Sequence, residues 1–388
     1  MDKRIYFLMI ISFIIGLVEL IISGILDLIA EDLQVSIGQA GLLITVFAVI
    51  FAVASPILLV MTAKIERKRL TLICLYIFLM GCIVTVFAPA FSILFIGRII
   101  LALSGALLII LCLVMAPSLV GEQYKGRAIG IVSVGVSASL VLGVPLGLII
   151  GDRFGWRAPF VLITVLTALS IIGVHILMGK IQPKPQIPLR QQLQAFKNHK
   201  ITLGLTTTFL YMTGHTIMYA YFKPYLEATT DFNATWVSII YFIFGFSAVC
   251  GGGLGGVMAD LLGSRKTMVI SLIIFSGVFF IFPYTTEFFA LFLALIVIWG
   301  ILSWAISPAM QSYLIEIAPE TSEIQQSLNN SALHLGVAVG SVIGAGIVDT
   351  ISIEVNPFAS GIFILLSFIA VVISVRSKTN TYKTRSAT

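Results

Sequence analysis

"VMTAKIERKR" (residues 60–69) and "VMADLLGSRK" (residues 257–266) are one basic connector written twice, 197 positions apart. The same offset pairs Gly143 with Gly340, Gly147 with Gly344 and Asp152 with Asp349. Coincidences that share a single offset, close to half of a 388-residue chain, mark an internal duplication. Each connector lies between two long apolar runs. The duplicated unit is therefore built from such runs, and their number sets the architecture.

The chain is 59% hydrophobic with a mean hydropathy of +1.10, and 10% of its residues are charged. Soluble domains carry about a quarter charged residues, so the solvent for most of this chain is lipid. A span needs about 20 mostly apolar residues. Such runs occupy 5–28, 38–62, 70–88, 91–115, 127–150, 158–179, 201–225, 235–259, 267–284, 288–313, 326–348 and 357–375. The expectation is an all-α integral membrane protein of twelve transmembrane helices in two pseudo-symmetric six-helix bundles. The first bundle takes residues 1–180 and the second 201–388, with a proline-bearing linker at 181–200 that includes a short amphipathic stretch. The N-terminal "MDKR" has the flank of a signal peptide. The run after it is too long, carries Glu19 and is followed by further spans, so it reads as an uncleaved first helix. Two related bundles around a central site are the organisation of a secondary transporter.

Basic residues set the orientation. With the N-terminus inside, nineteen Lys and Arg fall on the inner side. Arg153, Arg157 and Lys223 fall outside, and Arg98 lies within a span. Both termini are thus expected in the cytoplasm of a cell-membrane protein. This bias accounts for the net charge of +6 without a nucleic-acid partner. The four cysteines sit in apolar runs with no metal-ligand spacing, and no cofactor or metal is expected. No nucleophile–base motif suggests an enzyme.

Glu19 stands in "FIIGLVELIISG" (residues 13–24), about 21 Å along its helix from residue 5. Arg98 reaches a similar depth from the other end of the fourth span. Either charge alone would be costly there. They read either as a static ion pair or as a carboxylate that binds and releases a proton, burial favouring its neutral form and Arg98 its ionised one. The offset of 197 pairs Glu19 with Thr216 and Arg98 with Leu295, so the second half lacks both charges. Small residues recur every fourth position at Gly135, Ser139, Gly143, Gly147 and Gly151, and again at Gly336, Gly340 and Gly344. These stripes permit close helix approach and are expected to form sliding contacts between the halves. "GGGLGG" (251–256) lies within a span and is not directly followed by Lys-Ser or Lys-Thr, so it is no phosphate loop. The second half carries Tyr211, His215 and Tyr219 on one helix face, and Gln326, Asn330 and His334 on another. Trp299, Trp304 and Gln311 lie on a third helix. Singly each suits an interhelical hydrogen bond. As a set they suit a flat, uncharged, heteroaromatic ligand.

"GVMADLLGSRK" (256–266) resembles the loop signature of the major facilitator superfamily, with Asp260, Gly263 and Arg265 in place. In the first copy Ala63 and Glu66 stand where the acid and the glycine belong. "GVPLG" (143–147) is similar to the proline-bearing motif of the family's proton-coupled exporters. The resemblance implies gating roles for Asp260, Gly263, Arg265, Gly143, Pro145 and Gly147, and proton coupling through Glu19 and Arg98. "WGILSW" (299–304) and "QSYLIEIAP" (311–319) resemble bacterial purine efflux pumps among the drug:proton antiporters. That implies export of purine bases or ribonucleosides against proton influx by alternating access, with drug or sugar efflux as the alternative. The ligand would be held by Tyr211, His215, Tyr219, Trp304, Gln311, Asn330 and His334. The partners expected are this small molecule, protons and the bilayer, the protein acting as a monomer.

Overall fold

Inside hydrocarbon no water can satisfy a backbone N–H or C=O, so each apolar run closes its hydrogen bonds within a helix. The computed structural model describes residues 2–121, 124–182, 198–317 and 322–376. The first half comprises α1 (Lys3–Leu20), α2 (Ile37–Met61), α3 (Arg67–Val86), α4 (Phe91–Met115), α5 (Lys125–Ala138, Ser139–Gly143 and Val144–Phe154) and α6 (Ala158–Leu177). The second comprises α7 (His199–Tyr219), α8 (Ala234–Leu262), α9 (Ser264–Ile281), α10 (Phe289–Ile317), α11 (Ser322–Thr350) and α12 (Asn356–Arg376). Eleven of these are long and apolar enough, among the described residues, to cross a membrane. The remaining one, α7, is the repeat partner of α1 and is rich in threonine. Most of the expected linker (183–197), the basic tail (377–388) and Glu320 lie outside the described residues.

Local chemistry explains where the helices bend. After Leu20, α1 tightens into a 3-10 turn (Ile21–Gly24) and restarts as a short helix, Leu26–Asp32. In α5, Pro145 has no N–H to give to the preceding turn, and the chain widens there into a π-turn at Ser139–Gly143. Gly263 ends α8 at φ +86°, a conformation that favours glycine. Its counterpart Glu66 instead begins a helix. Its carboxylate accepts from the N–H groups of Lys68 (2.9 Å), Arg69 (2.8 Å) and Ile181 (2.8 Å), tying the start of α3 to the end of α6. Burial acts against this charge, but the backbone donors outweigh it and hold the carboxyl below its ordinary range.

The glycine stripes pack within each half, which corrects the expectation of a sliding contact between halves. A Cβ at Gly135 would meet the Met9 carbonyl, at Gly143 the Leu17 side chain, and at Gly147 that of Ile21, on α1 and the 3-10 turn that follows it. Gly336 and Gly340 meet the Phe209 and Thr213 carbonyls of α7 in the same way. Gly143 and Gly147 are buried in this packing, and Pro145 is buried as well. The seam between halves uses other residues: Leu140, Val144 and Leu148 join the core of the second half. A Cβ at Gly245 of α8 would lie 2.7 Å from the Leu140 carbonyl. The second seam is α2 against α11, where Ser341 donates to the Gly41 carbonyl (2.9 Å) and Ser331 to that of Ala52 (3.0 Å).

These ties run from the face opposite the chain termini to Ala52, about 22 Å along α2. The segment of α5 nearer the terminal face, Lys125–Ala138, packs on α1, and the part from Ser139 onward packs on α8. The halves therefore meet at the opposite face and diverge toward the terminal face. Gly340→Ala is expected to lower the thermal unfolding temperature in detergent, since overpacking costs about 1–3 kcal/mol. Gly346→Ala, whose Cβ would meet nothing within 4 Å, is expected to leave it unchanged or raise it through helix propensity.

Candidate functional site

Glu19 lies in the last turn of α1, where the helix gives way to the 3-10 turn, and its side chain retains 26% exposure. Its Oε1 is 3.6 Å from Nδ1 of His334 on α11, so a carboxylate of one half faces an imidazole of the other. His334 and Gly336 are two residues apart, about 200° around a helix. Gly336 packs on α7, and His334 is thereby turned toward the first half. The His334 ring stands 4.3 Å from that of Phe51 on α2, tilted by 36°. At 3.6 Å the Glu19–His334 contact is longer than a hydrogen bond, and His334 Nδ1 has no other partner among the described residues. A proton on Glu19 would supply the donor that closes this gap.

Arg98 does not form the ion pair with Glu19 that one of the two readings held open. Its guanidinium, fully buried, donates from Nη1 to the Val18 carbonyl (2.8 Å) and from Nε to the Leu43 carbonyl (3.2 Å). It also stands 4.3 Å from the centre of the Phe47 ring. The end of α1 leaves carbonyls without intrahelical donors, and Arg98 takes the one beside Glu19. Its positive charge thus reaches Glu19 through the neighbouring peptide. Nη2 has no partner.

Tyr211, His215 and Tyr219 share a face of α7 as expected, but that face belongs to the core of the second half. Trp299 Nε1 donates to His215 Nδ1 (3.1 Å), and His215 stacks on Tyr219 with ring centres 5.3 Å apart. Phe244 and Phe275 complete the cluster. His215, which read as a ligand contact, is here satisfied by Trp299, while the buried Tyr219 hydroxyl has no hydrogen-bond partner among the described residues. Gln311 is exposed near the terminal end of α10, away from the middle of the membrane. Trp304 and Asn330 are half-buried, and of the expected ligand contacts it is His334 that stands beside Glu19. Asp260 is exposed and has no hydrogen bond or ion pair among the described residues, while Arg265 stands 5.9 Å from the Tyr313 ring. No group of three metal-ligating side chains is present among the described residues.

The residues that sequence reasoning missed lie at the opposite face. Lys223, Asp27 and Asp152 form ion pairs between the halves, and Asp349 reaches the start of α2. A signal was present in the shared offset of Asp152 and Asp349, and in the single lysine of "YAYFKPYLE" (219–227).

The chain matches the Major Facilitator Superfamily at residues 8–251 and again at 204–387. It is 31% identical to an uncharacterised MFS-type transporter of Bacillus subtilis (YbcL) over 97% of this chain and 96% of the relative. It is 29% identical to a "probable sugar efflux transporter" of Mannheimia succiniciproducens over 86% and 84% of the two chains. In fold it is similar to a bacterial homologue of the human lysosomal transporter Spinster in an inward-facing, unoccupied conformation. The TM-score is 0.80 at 16% identity, over 96% of this chain and 97% of that one.

Trp299→Phe is expected to leave His215 Nδ1 buried without its donor, at a cost of about 1–3 kcal/mol. The double variant Trp299→Phe with His215→Phe is expected to recover part of that loss, because both polar partners are then gone. Thermal unfolding in detergent measures the difference.

Proposed function

The chain belongs to the Major Facilitator Superfamily and is a multi-pass membrane transporter, and from that premise we propose that it is a proton-coupled exporter of purine bases or ribonucleosides. The observation that carries the coupling is the contact of Glu19 with His334 between the halves. In this reading the terminal face is cytoplasmic, in keeping with its excess of Lys and Arg. Substrate enters from the cytoplasm into the space between the diverging halves, beside Glu19, Trp304, Asn330 and His334. As it binds, the Glu19 carboxyl gives its proton to water on that side. The halves then rock, and the substrate leaves outside. Glu19 takes up a proton there, and its O–H donates to neutral Nδ1 of His334. An uncharged pair avoids the desolvation cost of a buried ion pair, so the closed seam is favoured when Glu19 is protonated. Arg98, bonded to the Val18 carbonyl, favours the ionised form and so keeps proton release within reach.

The ring faces of Trp304 and His334, with the amide of Asn330, support a flat ligand with donor and acceptor edges. The cluster that encloses His215 leaves fewer ligand contacts than the sequence promised. A sugar is the second reading, favoured by the relative described as a probable sugar efflux transporter. Counterflow in proteoliposomes with labelled hypoxanthine, competed by nucleosides, sugars and drugs, separates the two.

Glu19→Gln is expected to reduce export driven by a pH gradient by at least about tenfold, with counterflow retained, since only the ionisable oxygen is lost. Full gradient-driven export by Glu19→Gln in everted vesicles would remove Glu19 from the coupling.

A further inference from the structure

At the face opposite the termini, Lys223 of the second half is nearly enclosed, its side chain 3% exposed. Its Nζ lies 2.8 Å from Oδ2 of Asp27 and 3.0 Å from Oδ1 of Asp152, both in the first half. A third carboxylate, Glu227, stands 3.8 Å away on the same short helix, Phe222–Thr229. Asp27 Oδ1 is buried with no hydrogen-bond partner among the described residues. One ammonium thus faces three carboxylates, an excess of two negative charges if all are ionised. The other seam has a latch without this excess. Asp349, the repeat partner of Asp152, accepts from Ser36 Oγ (2.8 Å) and the Gly38 N–H (3.1 Å) at the start of α2. There one charge meets one helix N-terminus, a balanced pairing.

We propose that Asp27, Asp152, Lys223 and Glu227 form a second proton-binding site that latches the outer gate, and that a proton taken from the external solution closes it. When the halves separate, Asp27 and Asp152 leave with one and Lys223 with Glu227 leave with the other. Each acid is then solvated apart from the rest, and Glu227 keeps its own lysine as partner. When the halves close, three carboxylates share one cation, and a proton on Glu227 relieves the repulsion. Glu227 lies beyond the span, and burial, then the Asp27 charge, push its carboxyl up to about 7 against the pull of Lys223. Other ionisable groups on elements packed against this helix are Glu354, Glu31, Asp32 and the Tyr241 hydroxyl. Asp32 is already held by Trp156 and Arg157, outside the cluster. Because the proton binds more tightly in the closed form, closure is favoured below about pH 7 and weakens as pH rises through that value. This supplies the step an antiporter needs outside: external protons draw the empty carrier back to its inward-open form. The choice of external solution rests on the proposed orientation of the termini, whereas the latch itself does not.

Spin labels at Phe154→Cys and Thr235→Cys, exposed positions of α5 and α8 at this face, report gate opening as a distance distribution in nanodiscs. Cys250→Ser removes the one exposed native thiol, and Cys74, Cys82 and Cys112 are buried. All measurements use the Glu19→Gln background, so titration of Glu19 contributes nothing and failure of the coupling proposal leaves the result intact. The closed-to-open ratio is expected to fall about tenfold from about pH 5.5 to about pH 8.5. Glu227→Gln is expected to stay closed across this range, and Lys223→Met to open at the high end. A parent ratio that ignores pH, or a Glu227→Gln variant with the parent's full response, would overturn the latch.

Discussion

Hydrocarbon gives a helix no competing solvent, so what brings helices together here is backbone approach and internally satisfied polar groups. Both are supplied by small residues. Where Gly135, Gly143 and Gly147 let α5 lie against α1, the adjoining side of α5 is left to Leu140, Val144 and Leu148. The same division operates on α11, where Gly336 and Gly340 hold α7 and leave Ser331, His334 and Ser341 to the first half. Each seam helix thus has a fixed side and a mobile side. Strong intra-half packing is what allows the halves to move as units while the seams change.

Polar groups follow this division. Several within the halves are held by permanent neighbours: His215 by Trp299, Thr208 by Asn329 (2.6 Å), and Arg98, through Nη1 and Nε, by the Val18 and Leu43 carbonyls. Those on the seams meet partners from the other half, as with Glu19 and His334, Lys223 and Asp152, or Asp349 and Gly38. A partner that can be lost through a rigid-body motion couples its protonation state to that motion. For this reason the titratable seam contacts, at mid-membrane and at the outer face, are where a proton can do work on the conformation.

Much of the fold was legible beforehand. The duplicated connectors at 60–69 and 257–266, the spans and their number all follow from length and hydropathy, which depend on one helix at a time. The limits of α4 coincide with the expected 91–115, while α1 stops short at Leu20 because its 3-10 turn depends on tertiary fit. The site was legible in part. Glu19 and His334 were each recognised, but as members of different groups, since their contact spans 315 positions that no local pattern relates. Periodicity placed Tyr211, His215 and Tyr219 on one face correctly. It could not say whether that face looked inward to the core or outward to a ligand.

The sequence by itself determined that this chain lives in lipid, that it is duplicated, and that a carboxylate and a guanidinium lie deep within the first half. Those properties belong to composition and helix rise. Only the tertiary structure decided that the glycine stripes serve the bundles rather than the seams. It also decided that Arg98 bonds to the peptide beside Glu19, and that the carboxylate faces His334 across the interface. These outcomes depend on how each helix is rotated about its axis, and rotation is set by packing against neighbours distant in the chain.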